Sequence, residues 1–212
     1  MTASVAIADY GMGNLRSVEK ALERVGASAS VTSDPAAVLA ADGAVLPGVG
    51  AFPKAMEEIR ALELEQALRD RVATGRPLLG ICLGMQLLFE GSSELGGAVG
   101  LGLLPGTVEP LPTDGLKLPQ IGWNEVAWTR RCALNEDLPD PCAFYHVHSF
   151  AAVPAEADDV AGEAVYGGRF ASAVARDALW GVQFHPEKSG PQGLRLLSGF
   201  VAACADARLS AA

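Results

Sequence analysis

With 212 residues, 50% of them hydrophobic and 19% charged, the chain has the composition of a soluble globular protein with a sizeable core, not of a disordered segment. A net charge of −9 and a pI of about 4.8 repel phosphate backbones and anionic bilayers, so neither nucleic acid nor a membrane is an expected partner. The opening Met1-Thr2-Ala3-Ser4-Val5 lacks a basic n-region, and no stretch approaches roughly 18 uninterrupted apolar residues, so no signal peptide or membrane span is expected. The cysteines at 82, 132, 142 and 204 form no C-x-x-C pair, which fits a reducing cytoplasm.

Along the chain, Val5–Ala8 reads as a short buried strand. Asn14 is placed to cap a helix through Val25, with Leu15, Val18, Leu22 and Val25 on one face and Gly26 as its stop. Ala29–Thr32 is a second strand, and Asp34-Pro35 opens a short helix. Ala44–Leu46 is a third strand, broken by Pro47-Gly48. Lys54–Thr74 reads as one long amphipathic helix, stopped at Gly75 and Pro77. Leu78–Ile81 is wholly apolar, as at the centre of a parallel sheet, and a helix follows from Leu83 to about Glu90. This alternation implies an open, mostly parallel α/β sheet with helices on both faces.

Gly91–Gly106 reads as a loop. Beyond it, Thr107–Glu109, Glu125–Thr129, Ala143–Phe150, Glu163–Tyr166, Phe170–Arg176 and Leu179–Phe184 are short strands that extend the sheet in antiparallel fashion. Gly167-Gly168 and Asp177-Ala178 look like hairpin turns, and Leu194–Ala207 is a closing helix. No repeat or linker divides the chain, so residues 1–212 are expected to form one domain.

Gly80-Ile81-Cys82-Leu83-Gly84 joins the apolar strand to the next helix. This is G-x-C-x-G, the thiol version of a nucleophile elbow, in which crowding requires glycine two residues either side of the nucleophile. The motif alone also fits a buried cysteine between packing glycines; the strand-turn-helix setting favours the nucleophile, with the helix N-terminus favouring thiolate. A cysteine nucleophile usually needs a base. Among three histidines, His185 lies in His185-Pro186-Glu187, where proline extends the backbone before it and sets residues two apart on one side. Glu187 is thereby placed to hold the His185 ring. Attack on an amide also needs oxyanion donors: the N–H of Leu83 is one candidate, and the Pro47-Gly48-Val49-Gly50 loop, through Val49 and Gly50, is the other. His146 and His148 share a strand face, but no carboxylate or cysteine has the spacing to complete a metal site with them, so no metal or other cofactor is expected.

These residues together resemble the class I (triad) glutamine amidotransferases. Asp9-Tyr10-Gly11-Met12-Gly13-Asn14, Pro47–Phe52, Gln120-Ile121-Gly122-Trp123-Asn124, Val147-His148-Ser149 and His185–Ser189 narrow the likeness to the glutaminase subunits of imidazole glycerol phosphate synthases, over nearly the whole chain. The resemblance implies a flavodoxin-like fold and glutamine hydrolysis through a thioester. It also implies ammonia delivery to a (β/α)8-barrel cyclase subunit in histidine biosynthesis. It further implies that Gln86, Gly50, Ser149 and Phe150 hold glutamine, and that Asn14, Asn124, Tyr145 and Lys188 face the cyclase. The family usually carries an aromatic residue where this chain has His146. Two alternatives stay open: a glutaminase of another pathway, and a non-hydrolytic regulatory module on the same fold.

Overall fold

The computed structural model describes residues 2–210. The first half runs β1 (Ser4–Ala8), α1 (Leu15–Arg24), β2 (Ser28–Thr32), α2 (Pro35–Ala40), β3 (Gly43–Gly48), α3 (Phe52–Ala61), α4 (Leu64–Ala73), β4 (Leu78–Cys82) and α5 (Leu83–Gln86). The second adds β5 (Gly91–Ser92), β6 (Ala98–Val99), β7 (Gly106–Pro110), β8 (Gln120–Trp128), β9 (Cys142–His148), β10 (Phe150–Pro154), β11 (Val160–Tyr166), β12 (Gly168–Arg176), β13 (Leu179–Val182) and α6 (Gly190–Ser210).

The main sheet has the order β2-β1-β3-β4-β13-β12-β11-β8-β9. Its first five strands are parallel, and the rest join antiparallel. The apolar strands β3 and β4 are buried at every position, as their composition requires, and lie side by side near the centre. One face packs against α1 and α6 through Val18, Leu22, Leu196, Leu197 and Phe200. The other packs against α2, α3 and α4 through Val38, Phe52, Met56, Ile59 and Leu68. The open α/β sheet with helices on both faces and an antiparallel extension is the expected architecture. In such sheets ligands bind at the carboxyl edge.

Several element boundaries differ from the sequence reading. The span 54–74 is two helices, broken where Glu63 takes a left-handed backbone (φ 58°), with Arg60 strapped to Glu65 across the joint at 2.9 Å. No glycine or proline marks the break, and both halves keep an apolar face, so the periodicity runs on unbroken. The helix after Cys82 is a single turn. Leu87, Leu88 and Phe89 are all fully buried, and the backbone leaves the helix so that Glu90 N–H can reach the Gly106 carbonyl. Strand β3 continues through Pro47-Gly48. Ala44 N–H donates toward β4, to the Pro77 carbonyl, so by alternation Pro47 faces the β1 side, where pairing has already stopped at Ile7–Val45. The missing N–H of Pro47 therefore costs no ladder bond. Asn14 stands at the N-cap of α1 but makes no side-chain cap bond.

A second sheet, in the order β10-β7-β5-β6, is the largest departure from the sequence reading. It turns part of the glycine-rich 91–106 stretch into short strands. It also splits 143–150 at Ser149, so that β9 closes the main sheet while β10 pairs with β7.

Candidate active site

The turn at Cys82 is strained: φ 55° and ψ −113° lie where few non-glycine residues sit, at a cost of roughly 1–3 kcal/mol. The flanking glycines are required, for a reason sharper than mutual crowding. A Cβ on Gly80 would stand 2.7 Å from the Gly84 carbonyl oxygen, and one on Gly84 would stand 1.7 Å from the Leu46 carbonyl oxygen of β3. The elbow is thus pressed against the neighbouring strand, and the sulfur is left at the carboxyl edge of β4. Because α5 is one turn long, the helix dipole expected from the sequence supplies little field at the thiol. Stabilisation of a thiolate falls to discrete neighbours.

His185 follows β13, the strand that pairs with β4 on the side away from β3. Its Nδ1 is 3.0 Å from Glu187 Oε1, and both side chains are buried. A carboxylate can only accept, so Nδ1–H donates to Glu187, and Nε2 is the nitrogen left for Cys82. Burial opposes charging the ring; a hydrogen bond to Cys82 and the bond to Glu187 outweigh it and push His185 up to about 10. The turn carrying His185 is tied to β9: His185 N–H donates to the Tyr145 carbonyl at 2.9 Å. Ser189 Oγ donates to the His185 carbonyl at 2.6 Å and accepts from Tyr145 N–H at 3.0 Å. The serine after His-Pro-Glu-Lys is therefore a strut for the histidine, a role the sequence reading did not assign.

Cys82 and His185 line one cavity of about 290 Å³ with Val49, Gly50, Leu83, Gln86, Ser149, Phe150 and Lys188. The structure thus brings together every predicted nucleophile, oxyanion and substrate residue, with Glu187 behind the histidine. Gly50 has φ 107°, a conformation open to glycine. The start of its loop is held from the segment that follows β1: Tyr10, buried, donates to the Pro47 carbonyl at 2.7 Å, just beyond the end of the β1–β3 ladder. Burial, with the charge of Cys82 adding to it, raises the Tyr10 phenol far above its ordinary value, so it remains a donor. Gln86 lines the cavity, but its amide nitrogen is committed to the Phe150 carbonyl and to Gln183 Oε1, each at 3.0 Å.

Glu94 and Gln183 are the site residues missed from sequence. Glu94 reaches the cavity from the glycine-rich segment and accepts from Phe52 N–H at 2.8 Å, capping α3 where the Val49–Gly50 loop ends. Gln183, a lone polar residue among Val182 and Phe184, carried a readable signal: a fully buried amide needs partners. Of the predicted interface residues, Tyr145 packs edge-on against Trp123, with ring centroids 6.2 Å apart. Lys188 is exposed at the cavity mouth. Asn124 donates to the Val165 carbonyl at 2.9 Å. His146, the unusual residue, is fully buried and satisfied, with Nδ1 3.1 Å from the Phe144 carbonyl and Nε2 2.9 Å from Ser172 Oγ. Burial holds it neutral, with a pKa of about 3, and it packs between Phe170 and Phe184. No three His, Cys, Asp or Glu side chains are grouped to hold a metal ion among the described residues.

The family profile of glutamine amidotransferase class-I matches residues 6–204. The chain is 51% identical to the imidazole glycerol phosphate synthase subunit HisH of Moorella thermoacetica over 92% of its length and 93% of the relative's. It is 47% identical to that of Synechococcus elongatus over 98% and 97%.

The chain belongs to the class-I glutamine amidotransferases, among the HisH subunits.

Solved structures agree on the fold of this amidotransferase. The PurLQS structure from Thermotoga maritima superposes with a TM-score of 0.74 at 18% identity, covering 95% of this chain and 99% of that one. A crystal structure of glutamine amidotransferase gives 0.72 at 20% identity, covering 95% and 98%. No helix among the described residues is long and apolar enough to cross a membrane.

Proposed function

We propose that the chain, acting as one glutaminase domain, hydrolyses glutamine at Cys82 and passes the ammonia to the cyclase subunit of imidazole glycerol phosphate synthase, for histidine biosynthesis. The observation that carries this reading is the single cavity that holds Cys82 and His185, with Glu187 buried at 3.0 Å behind the ring. The contacts to Cys82 and Glu187 outweigh burial and raise His185 to about 10, so the imidazole holds a proton at neutral pH. The histidine therefore begins the cycle as the acid.

The Cys82 sulfur attacks the side-chain carboxamide carbon of glutamine, and the carbonyl oxygen becomes an oxyanion. The N–H groups of Leu83 and of the Val49–Gly50 loop receive it, each donor contributing about 3 kcal/mol. His185 gives its proton to the leaving nitrogen, ammonia departs, and a glutamyl thioester remains on the sulfur. The now neutral imidazole takes a proton from water, whose oxygen attacks the thioester carbon. Glutamate leaves, and the proton returns the pair to its starting state. Glu187 stays a carboxylate throughout, holding the tautomer and the positive charge. Gln86, Ser149 and Phe150 hold the substrate, with Gln86 offering its carbonyl oxygen because its amide nitrogen is already bonded.

The partner, a (β/α)8 barrel, covers the exposed face of β8 and β9. Ile121 and Trp123 are 63% and 60% exposed there, large apolar side chains beside Tyr145, and Pro119 and Val147 of the same edge line the cavity. Lys188, exposed at the cavity mouth, and Asn14, at the start of α1, are the other residues assigned to this contact. The test is glutamate release by the purified chain with and without the cyclase subunit and its substrate. Release that rises with the complete complex supports the reading; no release under either condition contradicts it.

A further inference from the structure

We infer that Gln183 is a catalytic residue: its side-chain amide donates a hydrogen bond to the sulfur of Cys82 in its ionised form, and Gln86 sets its orientation. The inference rests on the reading of Cys82 as the nucleophile. It follows from a chain of donors and acceptors that has one consistent solution. The Phe150 carbonyl, 3.0 Å from the Gln86 side chain, can only accept, so the atom facing it is the amide nitrogen. That same nitrogen lies 3.0 Å from the Gln183 side chain, whose facing atom must therefore be its oxygen. The other end of the Gln183 amide, 3.7 Å from Cys82 Sγ, is then an N–H donor. Flipping Gln183 would set two NH2 groups against each other and leave oxygen against sulfur.

Gln183 is fully buried, and its backbone N–H donates to the Ser172 carbonyl at 2.9 Å, so the side chain leaves the chain just past β13 from a fixed point. Beside Gln183, the Val147 carbonyl also lies 3.7 Å from the sulfur. The two act in opposite directions. A carbonyl accepts from S–H and favours the thiol; an amide N–H donates to the sulfur and favours the thiolate. With the helix dipole reduced to one turn, Gln183 and His185 are the donors that hold the negative charge.

Stabilising the thiolate lowers its intrinsic nucleophilicity as well as the pH at which it forms, so loss of the donor has a double signature. The experiment is the pH dependence of Cys82 alkylation by iodoacetamide, read at that cysteine by mass spectrometry, in the wild-type chain, Gln183→Met and Gln183→Glu. The methionine keeps the length of the side chain; the glutamate keeps an acceptor for Gln86 and so guards against a variant that fails to fold. We expect the midpoint of alkylation to rise by about one pH unit in Gln183→Met and further in Gln183→Glu. The limiting rate above the midpoint should rise about threefold, as the Brønsted dependence of thiolate attack requires. Midpoints equal to wild type in both variants would overturn the assignment, as would a lowered midpoint. Glutamine hydrolysis with the cyclase subunit, measured in parallel, separates the two readings. A wild-type complex that releases no glutamate sinks the glutaminase reading, whereas an active complex with an unmoved midpoint sinks only the role of Gln183.

Discussion

Strands β3 and β4 lie side by side, and their two ends are built on opposite rules. At the amino end, Arg71 of α4 is fully buried and donates to the carbonyls of Val38, Leu39, Ala41, Asp42 and Pro77, at 2.7 to 3.3 Å. Burial lowers its guanidinium to about 10, which still leaves it charged at neutral pH. One cation satisfies the end of α2 and the approaches to both strands. At the carboxyl end the same strands present Cys82 in a strained conformation, while Glu187 Oε2 and His148 Nε2 are buried without a hydrogen-bond partner. An unpaired buried polar group costs roughly 1–3 kcal/mol. The molecule thus satisfies its polar groups at the edge that only has to hold together, and carries backbone strain at the edge that has to react.

Substitutions at the two edges should therefore separate activity from stability. The largest effect is expected for Cys82→Ser, which should reduce glutamine-dependent turnover by about 10⁴-fold or more while ammonia-dependent synthesis by the complex continues. Steady-state assays with each nitrogen source check this. Glu187→Gln comes next, with a loss of about 10³-fold in kcat and little change in melting temperature, because the histidine keeps a neighbour but loses its carboxylate. At the other edge the pattern reverses. Arg71→Met should cost about 3 kcal/mol of stability in urea denaturation, since five carbonyls lose a charged donor, with kcat per folded molecule unchanged. A large fall in kcat there would break the contrast between the edges.

A smaller effect tests the unusual histidine. His146→Phe leaves the Ser172 hydroxyl without its acceptor and should cost about 1–2 kcal/mol. The same change made together with Ser172→Ala should cost less, and the double-mutant cycle measures the difference. The pH dependence follows from the same site. His146 and His148 are held neutral when folded, with pKa values of about 3 and 4, whereas the unfolded chain protonates them near the ordinary value of about 6.5. Between those values the unfolded state binds more protons, so stability falls as pH drops below about 6.5. His146→Phe with Ser172→Ala should flatten the acid limb of that profile, which thermal melts across the range would record.

What could be read from sequence divides along physical lines. The parallel half was legible because buried strands must be continuously apolar, as Leu78–Ile81 is, and because G-x-C-x-G and His-Pro-Glu encode backbone geometry in glycine and proline. The break at Glu63 was not legible, since a left-handed glutamate carries no local signal. The second sheet was hidden because β5 and β6 are two residues each and are defined by partners far along the chain. The switch at Ser149 is likewise a tertiary choice: both halves of 143–150 suit a strand, and only the sheets they join differ. Ser189 and Gln183 were visible as polar residues in motif positions, but their roles depend on what faces them.

The direct test of the account is the state of the sulfur during turnover. The complete complex, quenched in acid while hydrolysing glutamine, should yield a Cys82 peptide heavier by one glutamyl group and released by hydroxylamine. Glutamate accumulating at the full rate with Cys82 never modified, or with another residue carrying the adduct, would contradict it.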